Sequence, residues 1–124
     1  MLVDIIKMGF KFEKLVVWQM SIDLSHEIHL ITKKFPKDEL YVLSSQIKRA
    51  GDSISLNIAE GSTGQSNDEF KRFLTYSIRS AAEVVSCLYL GRKRGILNQE
   101  DFDRIYILTE QIITKLQALK NSIK

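Results

Sequence analysis

With 124 residues, 44% of them hydrophobic, and a net charge of +3, the chain has the size of one domain and enough apolar content for a core that needs neither disulfides nor metal. Its single cysteine, Cys87, has no partner for an intramolecular bridge, which excludes the disulfide frameworks of small secreted folds and points to a reducing cytoplasm. The charge is local: residues 62–98 hold six basic residues (Lys71, Arg72, Arg79, Arg92, Lys93, Arg94) against three acidic ones (Asp68, Glu69, Glu83), which accounts for the whole excess and permits contact with nucleic acid without requiring it.

The first residues, MLVDIIKMGF, are mildly apolar but interrupted by Asp4 and Lys7, too short for a signal segment or a membrane span. Residues 1–12 therefore read as an arm ahead of one domain over 13–124. Val17, Met20, Leu24, Ile28, Ile31 and Phe35 recur at three or four and predict a helix over roughly 13–34. Phe35-Pro36 ends it, because a proline disfavours helical geometry in the residue before it while suiting the first turn of a new helix. The second helix is expected to follow at once, with Leu40, Leu43, Ile47, Ala50, Ile54 and Ile58 as its seam, and to stop near Gly61. GSTGQSN is a polar, glycine-containing connection, and Ser66-x-x-Glu69 predicts a capping box at the start of the third helix. Phe70, Leu74, Ser77, Ala81, Val84 and Leu88 give that helix a heptad seam; Gly91 and Gly95 bracket its basic end. Asn98 caps a fourth helix with the seam Phe102, Ile105, Thr109, Ile112, Leu116, Leu119 and Ile123. No β pattern is present, and short connections between comparable helices predict an all-α, antiparallel up-down-up-down four-helix bundle.

The second helix carries another stripe, a polar one: Gln46, Arg49, Ser53, Asn57 and Glu60, beside the apolar seam. Lys48, Asp52 and Ser55 fall on the other flank and read as solvated. The stripe is either the edge of an exposed face or a network buried against a neighbouring helix or subunit, with Arg49 paired to an acid, Glu83 being the natural partner. A satisfied network of that kind would specify register and partner more than it would add net stability.

The run QIKRAGDSISLNIAEG (46–61), after Phe35-Pro36-x-x-Glu39 and before Phe70-x-x-Phe73-Leu74, resembles the four-helix-bundle family of 23S rRNA intervening-sequence proteins. Leu15, Trp18, Leu43, Ser80 and Glu83 also stand where that pattern puts them. One departure is Ser77-Ile78-Arg79-Ser80, where a small Ala-x-Gly-Ser run is expected; Arg79 argues against a close helix approach there. The resemblance implies a ring-like homopentamer encoded within insertions in large-subunit ribosomal RNA genes. It also implies kinship with accessory proteins of diversity-generating retroelements, which pair with a reverse transcriptase and bind nucleic acid.

No catalytic constellation emerges, and the chain reads as a non-enzyme without cofactor. Asp23, His26 and His29 share a face, but a di-metal bundle needs inward carboxylates and a second Glu-x-x-His motif that are lacking, so exposed histidines are the better account. Cys87 has no nearby activator and reads as a buried structural thiol. Gly61-Ser62-Thr63-Gly64 lacks the G-K-[ST] of a phosphate loop. Trp18, Tyr41, Tyr76, Tyr89 and Tyr106 could stack on bases, although at helical spacing they read first as core or interface packing. Apolar residues beyond one seam, such as Leu15, Trp18, Ile22, Phe73 and Tyr76, predict a homo-oligomer. The expected function is backbone binding of RNA or DNA through Lys71, Arg72, Arg79, Arg92, Lys93 and Arg94 in the cytoplasm, away from membranes. An assembly scaffold for a protein partner is the alternative.

Overall fold

One apolar stripe per helix leaves four stripes to bury, and they meet in a single core. The computed structural model describes residues 9–124, with four α-helices: α1 (Val16–Thr32), α2 (Ser45–Ser62), α3 (Asn67–Lys93) and α4 (Gln99–Ser122). No strand occurs among the described residues. Each helix packs on its neighbours in sequence, and α1 closes the circle against α4. The pairings run antiparallel: Ser77 of α3 reaches Ile54 of α2, while Gln46, further back on α2, reaches Glu83, further on along α3. Between α1 and α4, Lys34 meets Asp101 and Glu27 meets Arg104, again in opposite directions. The topology is up-down-up-down, as the short connections require.

The predicted seams form the core. Leu24, Ile28, Ile47, Ile54, Ile58, Leu74, Leu88, Ile105, Ile112 and Leu116 are sealed from solvent. Polar residues inside the seams are satisfied locally, Ser21 by Val17 O at 2.7 Å and Thr109 by Ile105 O at 2.7 Å. Asn98 Oδ1 accepts from Asp101 N at 2.7 Å, the expected cap. Gly95 takes φ +73° just beyond α3, the left-handed geometry that glycine adopts without strain.

Several boundaries differ from the sequence reading. Residues Lys11–Lys14 form a separate 3₁₀ turn, and α1 begins only after Leu15, whose backbone is extended. After Pro36 the chain makes a 3₁₀ turn, Lys37–Glu39, and a π turn, Leu40–Ser44, before α2 starts. The Glu39 carboxylate accepts from Leu43 N at 3.3 Å and holds this wider turn. The extra residue rotates Leu40 out of the seam, leaving it exposed while Leu43 and Ser44 point inward. At α3, Ser66 Oγ accepts from Glu69 N at 3.1 Å. The return half of the capping box is not made; the Glu69 carboxyl lies against Gly64 in the preceding loop.

A polar clamp joins α1 to α4. Asp101, almost fully buried, takes Lys34 Nζ at 3.0 Å and Arg104 Nη1 at 2.9 Å, and Arg104 also reaches Glu27 at 3.5 Å. Burial alone would push the Asp101 carboxyl up, but the hydrogen bonds and charges of Lys34 and Arg104 outweigh it and hold the carboxyl below its usual range.

Candidate nucleic-acid interface

The predicted site residues lie on α2 and α3, which form the most extensive helix pair in the molecule. They pack tightly where they connect. A methyl group built on Gly61 would sit 2.6 Å from Cβ of Phe73 and 3.1 Å from the Phe70 ring, so only glycine fits. Midway along, Ser77 Oγ donates to Ile54 O at 2.9 Å, a side chain short enough to touch the partner backbone. The expectation that Arg79 would prevent a close approach is therefore wrong: Arg79 points to solvent, and the contact is made by Ser77 and Ser80 on either side of it.

The polar stripe runs along the outer edge of this seam. Ser53 Oγ donates to Ser80 Oγ, Gln46 donates its amide to Glu83, and Asn57 Nδ2 donates to Ser53 O at 2.8 Å. Ser53 and Asn57 are half-buried; Gln46, Arg49 and Glu60 are exposed. The seam is thus zipped by hydroxyls and amides rather than by an ion pair. Glu83 is held by Gln46, and Arg49 has no carboxylate partner among the described residues. The other flank of α2 is less solvated than expected. Ser55 is buried, and Asp52 faces α1, where it accepts from Ser25 and lies 3.4 Å from His29 Nε2.

The six basic residues separate into two groups. Arg94 is engaged by Glu39 at 3.3 Å, and the Arg92 guanidinium lies over the Phe102 ring at 4.0 Å and the Tyr89 ring at 5.0 Å. Both serve the α3–α4 end of the bundle. Lys71 Nζ donates to Lys124 O at 3.1 Å. Arg72 and Arg79, seven residues apart, share the outer face of α3; Arg72 flanks the Phe73 ring, and both are exposed without a carboxylate partner among the described residues. Lys93 is likewise exposed.

Most of the aromatic residues pack. Trp18 meets Phe12 edge-on, Tyr76 meets Phe73, and Tyr89, Phe102 and Tyr106 form one cluster. Tyr41 does not; it is 90% exposed on the π turn. Cys87 is buried, and desolvation, followed by the Glu83 charge, pushes its thiol up to about 11, which removes it as a nucleophile at neutral pH. Among the described residues, no group of three His, Cys, Asp or Glu side chains could hold a metal ion. No helix there is long and apolar enough to cross a membrane.

The family model of the 23S rRNA-intervening sequence protein matches residues 13–118, a span that takes in all of α1, α2 and α3 and most of α4. The chain belongs to that family. Among solved structures, the family member resembles a protein of unknown function from the S23 ribosomal protein family of Bacteroides thetaiotaomicron VPI-5482. The two share 26% identity and a TM-score of 0.80 over 86% of this chain and 96% of that one. No curated protein matches. Within the matched span, Arg49-x-x-x-Ser53-x-x-x-Asn57-Ile58-Ala59-Glu60-Gly61 supplies the polar edge of the α2–α3 seam together with the glycine packed against Phe73.

Sequence reasoning missed the Asp101 clamp and the Ser25–Asp52–His29 cluster. Arg104, three residues beyond Asp101, was a readable local signal. Lys34, in the turn just past α1, and Ser25, on α1, are distant in sequence from their partners and leave no trace in local spacing.

Proposed function

We propose that this family member is a non-enzymatic, cytoplasmic accessory protein that assembles with copies of itself and holds the backbone of RNA or DNA on the outer face of α3. The observation that carries this reading is the pair Arg72 and Arg79, exposed on one helix face with no carboxylate to neutralise them among the described residues. Lys71 and Lys93 extend the positive strip, whereas Arg92 and Arg94 serve the bundle itself. The family's homopentameric ring would repeat the strip, so several phosphates would be neutralised at once and affinity would fall with salt while depending little on sequence. Structured ribosomal RNA is the first candidate ligand, given the family name.

Filter binding of structured RNA at several salt concentrations tests the reading. Binding at low salt that disappears when Lys71, Arg72 and Arg79 are changed to alanine is expected; no binding at low salt, or binding indifferent to these changes, overturns it. Light scattering at micromolar concentration tests assembly, and a monomer contradicts it. A second reading, a scaffold for a protein partner such as a reverse transcriptase, is favoured by the exposed run Leu40, Tyr41 and Val42. Stoichiometric co-purification of one protein, insensitive to nuclease, distinguishes it.

A further inference from the structure

We infer that the phosphate track of α3 crosses onto α2 and ends in a groove where Tyr41 stacks on a base of single-stranded nucleic acid while Lys48 and Arg49 take its phosphates. This rests on the nucleic-acid reading above and adds to it a site for unpaired bases on a different helix.

The groove, about 580 Å³ in volume, lies along the outer side of α2. That size matches sites for small ligands of roughly 300–1,000 Å³. Leu40, Tyr41 and Leu56 supply apolar walls, Ser45 and Ser53 supply hydroxyls, and Lys48 and Arg49 supply cations. Neither cation meets a carboxylate within ion-pair distance among the described residues. The one acid in the lining, Asp52, is turned to α1, where Ser25 donates to it and His29 lies 3.4 Å away. Two cations against one carboxylate leave the lining net positive.

Tyr41 is the anomaly that singles out this groove. A tyrosine ordinarily buries its ring and keeps only the hydroxyl wet. Here 90% of the residue is in water, held out by a π turn, a helical irregularity that recurs at functional positions. A ring presented beside two cations matches a base next to its phosphodiester, the pairing used by surfaces that hold single strands. A docked protein helix would desolvate both cations without bringing the matching anions unless it were acidic; a nucleotide brings ring and anion together.

The groove also adjoins the α3 strip. Ser53 and Ser80 touch across the seam; Arg79 precedes Ser80 and Arg49 lies one turn before Ser53. Arg72 and Arg79 on α3 and Arg49, Lys48 and Tyr41 toward the start of α2 thus belong to the two helices that this contact joins.

Fluorescence anisotropy with a short labelled oligouridylate and with a blunt RNA duplex tests the inference. Tyr41→Ala should weaken oligouridylate binding about tenfold with an unchanged salt slope, as expected for removal of one stacked base, and Tyr41→Phe should restore it. Duplex binding should be unaffected by either change. Lys48→Ala with Arg49→Ala should reduce the salt slope for the single strand by about 0.7 for each phosphate no longer neutralised. If Tyr41→Ala binds oligouridylate as well as the parent while Arg72→Ala with Arg79→Ala abolishes duplex binding, the groove is refuted and the α3 interface stands. No binding of either RNA by the parent protein refutes both. A change of oligomeric state caused by Tyr41→Ala makes the turn a subunit contact and overturns the inference.

Discussion

Replacing Asp101 by asparagine removes one charge from the only buried carboxylate among the described residues and keeps its shape. Lys34 at 3.0 Å and Arg104 at 2.9 Å bond to different oxygens of the carboxylate, so asparagine keeps one of these bonds, now to a neutral oxygen, and turns an NH2 donor toward the other cation. Because Lys34 is 63% exposed and Arg104 44% exposed, both cations regain water when the charge disappears, and the loss falls well short of breaking a sealed ion pair. About 1–2 kcal/mol is expected, roughly 5 °C in melting temperature for a domain of this size. The pH dependence follows from the depressed folded-state pKa. The stabilisation is present above the unfolded value of about 3.9 and is lost as pH falls through the lower folded value. Urea titrations followed by circular dichroism, at fixed protein concentration, should therefore show a gap between parent and Asp101→Asn at pH 7 that narrows as the pH is taken to about 3 and below. Equal stability at pH 7, or a gap that persists in acid, refutes the reasoning.

Gly61→Ala should destabilise by about 1–3 kcal/mol, because its methyl meets the Cβ of Phe73. Gly51→Ala, which meets only the movable end of Ile28, should cost less, offset by alanine's helix preference of up to about 1 kcal/mol; denaturant titration compares the two. Asn98→Ala should cost about 1 kcal/mol by removing the α4 cap, read from the same titrations, and Asn98→Asp should retain most of it. Cys87 should resist iodoacetamide at pH 8 and react freely only when the protein is unfolded. With its thiol pushed up to about 11, the thiolate is scarcer than that of a free cysteine by on the order of a hundredfold.

The bundle was legible because each helix writes its buried face into its own sequence. Ile47, Ile54 and Ile58, or Ile105, Ile112 and Leu116, need no knowledge of the other helices to be recognised as inward. Single-residue caps such as Asn98 and the left-handed Gly95 were readable for the same reason. The π turn at Leu40–Ser44 was not, because hydrophobic spacing is blind to one extra residue in a turn; Leu40 fits the seam in sequence and leaves it in space. The polar stripe was visible as a line, but its partners were not. Gln46, rather than Arg49, takes Glu83, a choice made by the register of α2 on α3. Among the basic residues, spacing placed Arg72 and Arg79 on one face, yet only the fold shows that Arg92 is engaged by Phe102 and Arg94 by Glu39.

The central claim is that the outer face of α3 meets phosphates. Its most direct test is the slope of log affinity against log salt for an RNA duplex, compared between the parent, Arg72→Ala with Arg79→Ala, and Arg92→Ala. The account predicts a slope shallower by about 0.9 for each phosphate no longer neutralised in the first variant and an unchanged slope in the second, whose guanidinium is stacked on Phe102. An unchanged slope in the Arg72→Ala, Arg79→Ala variant would contradict it.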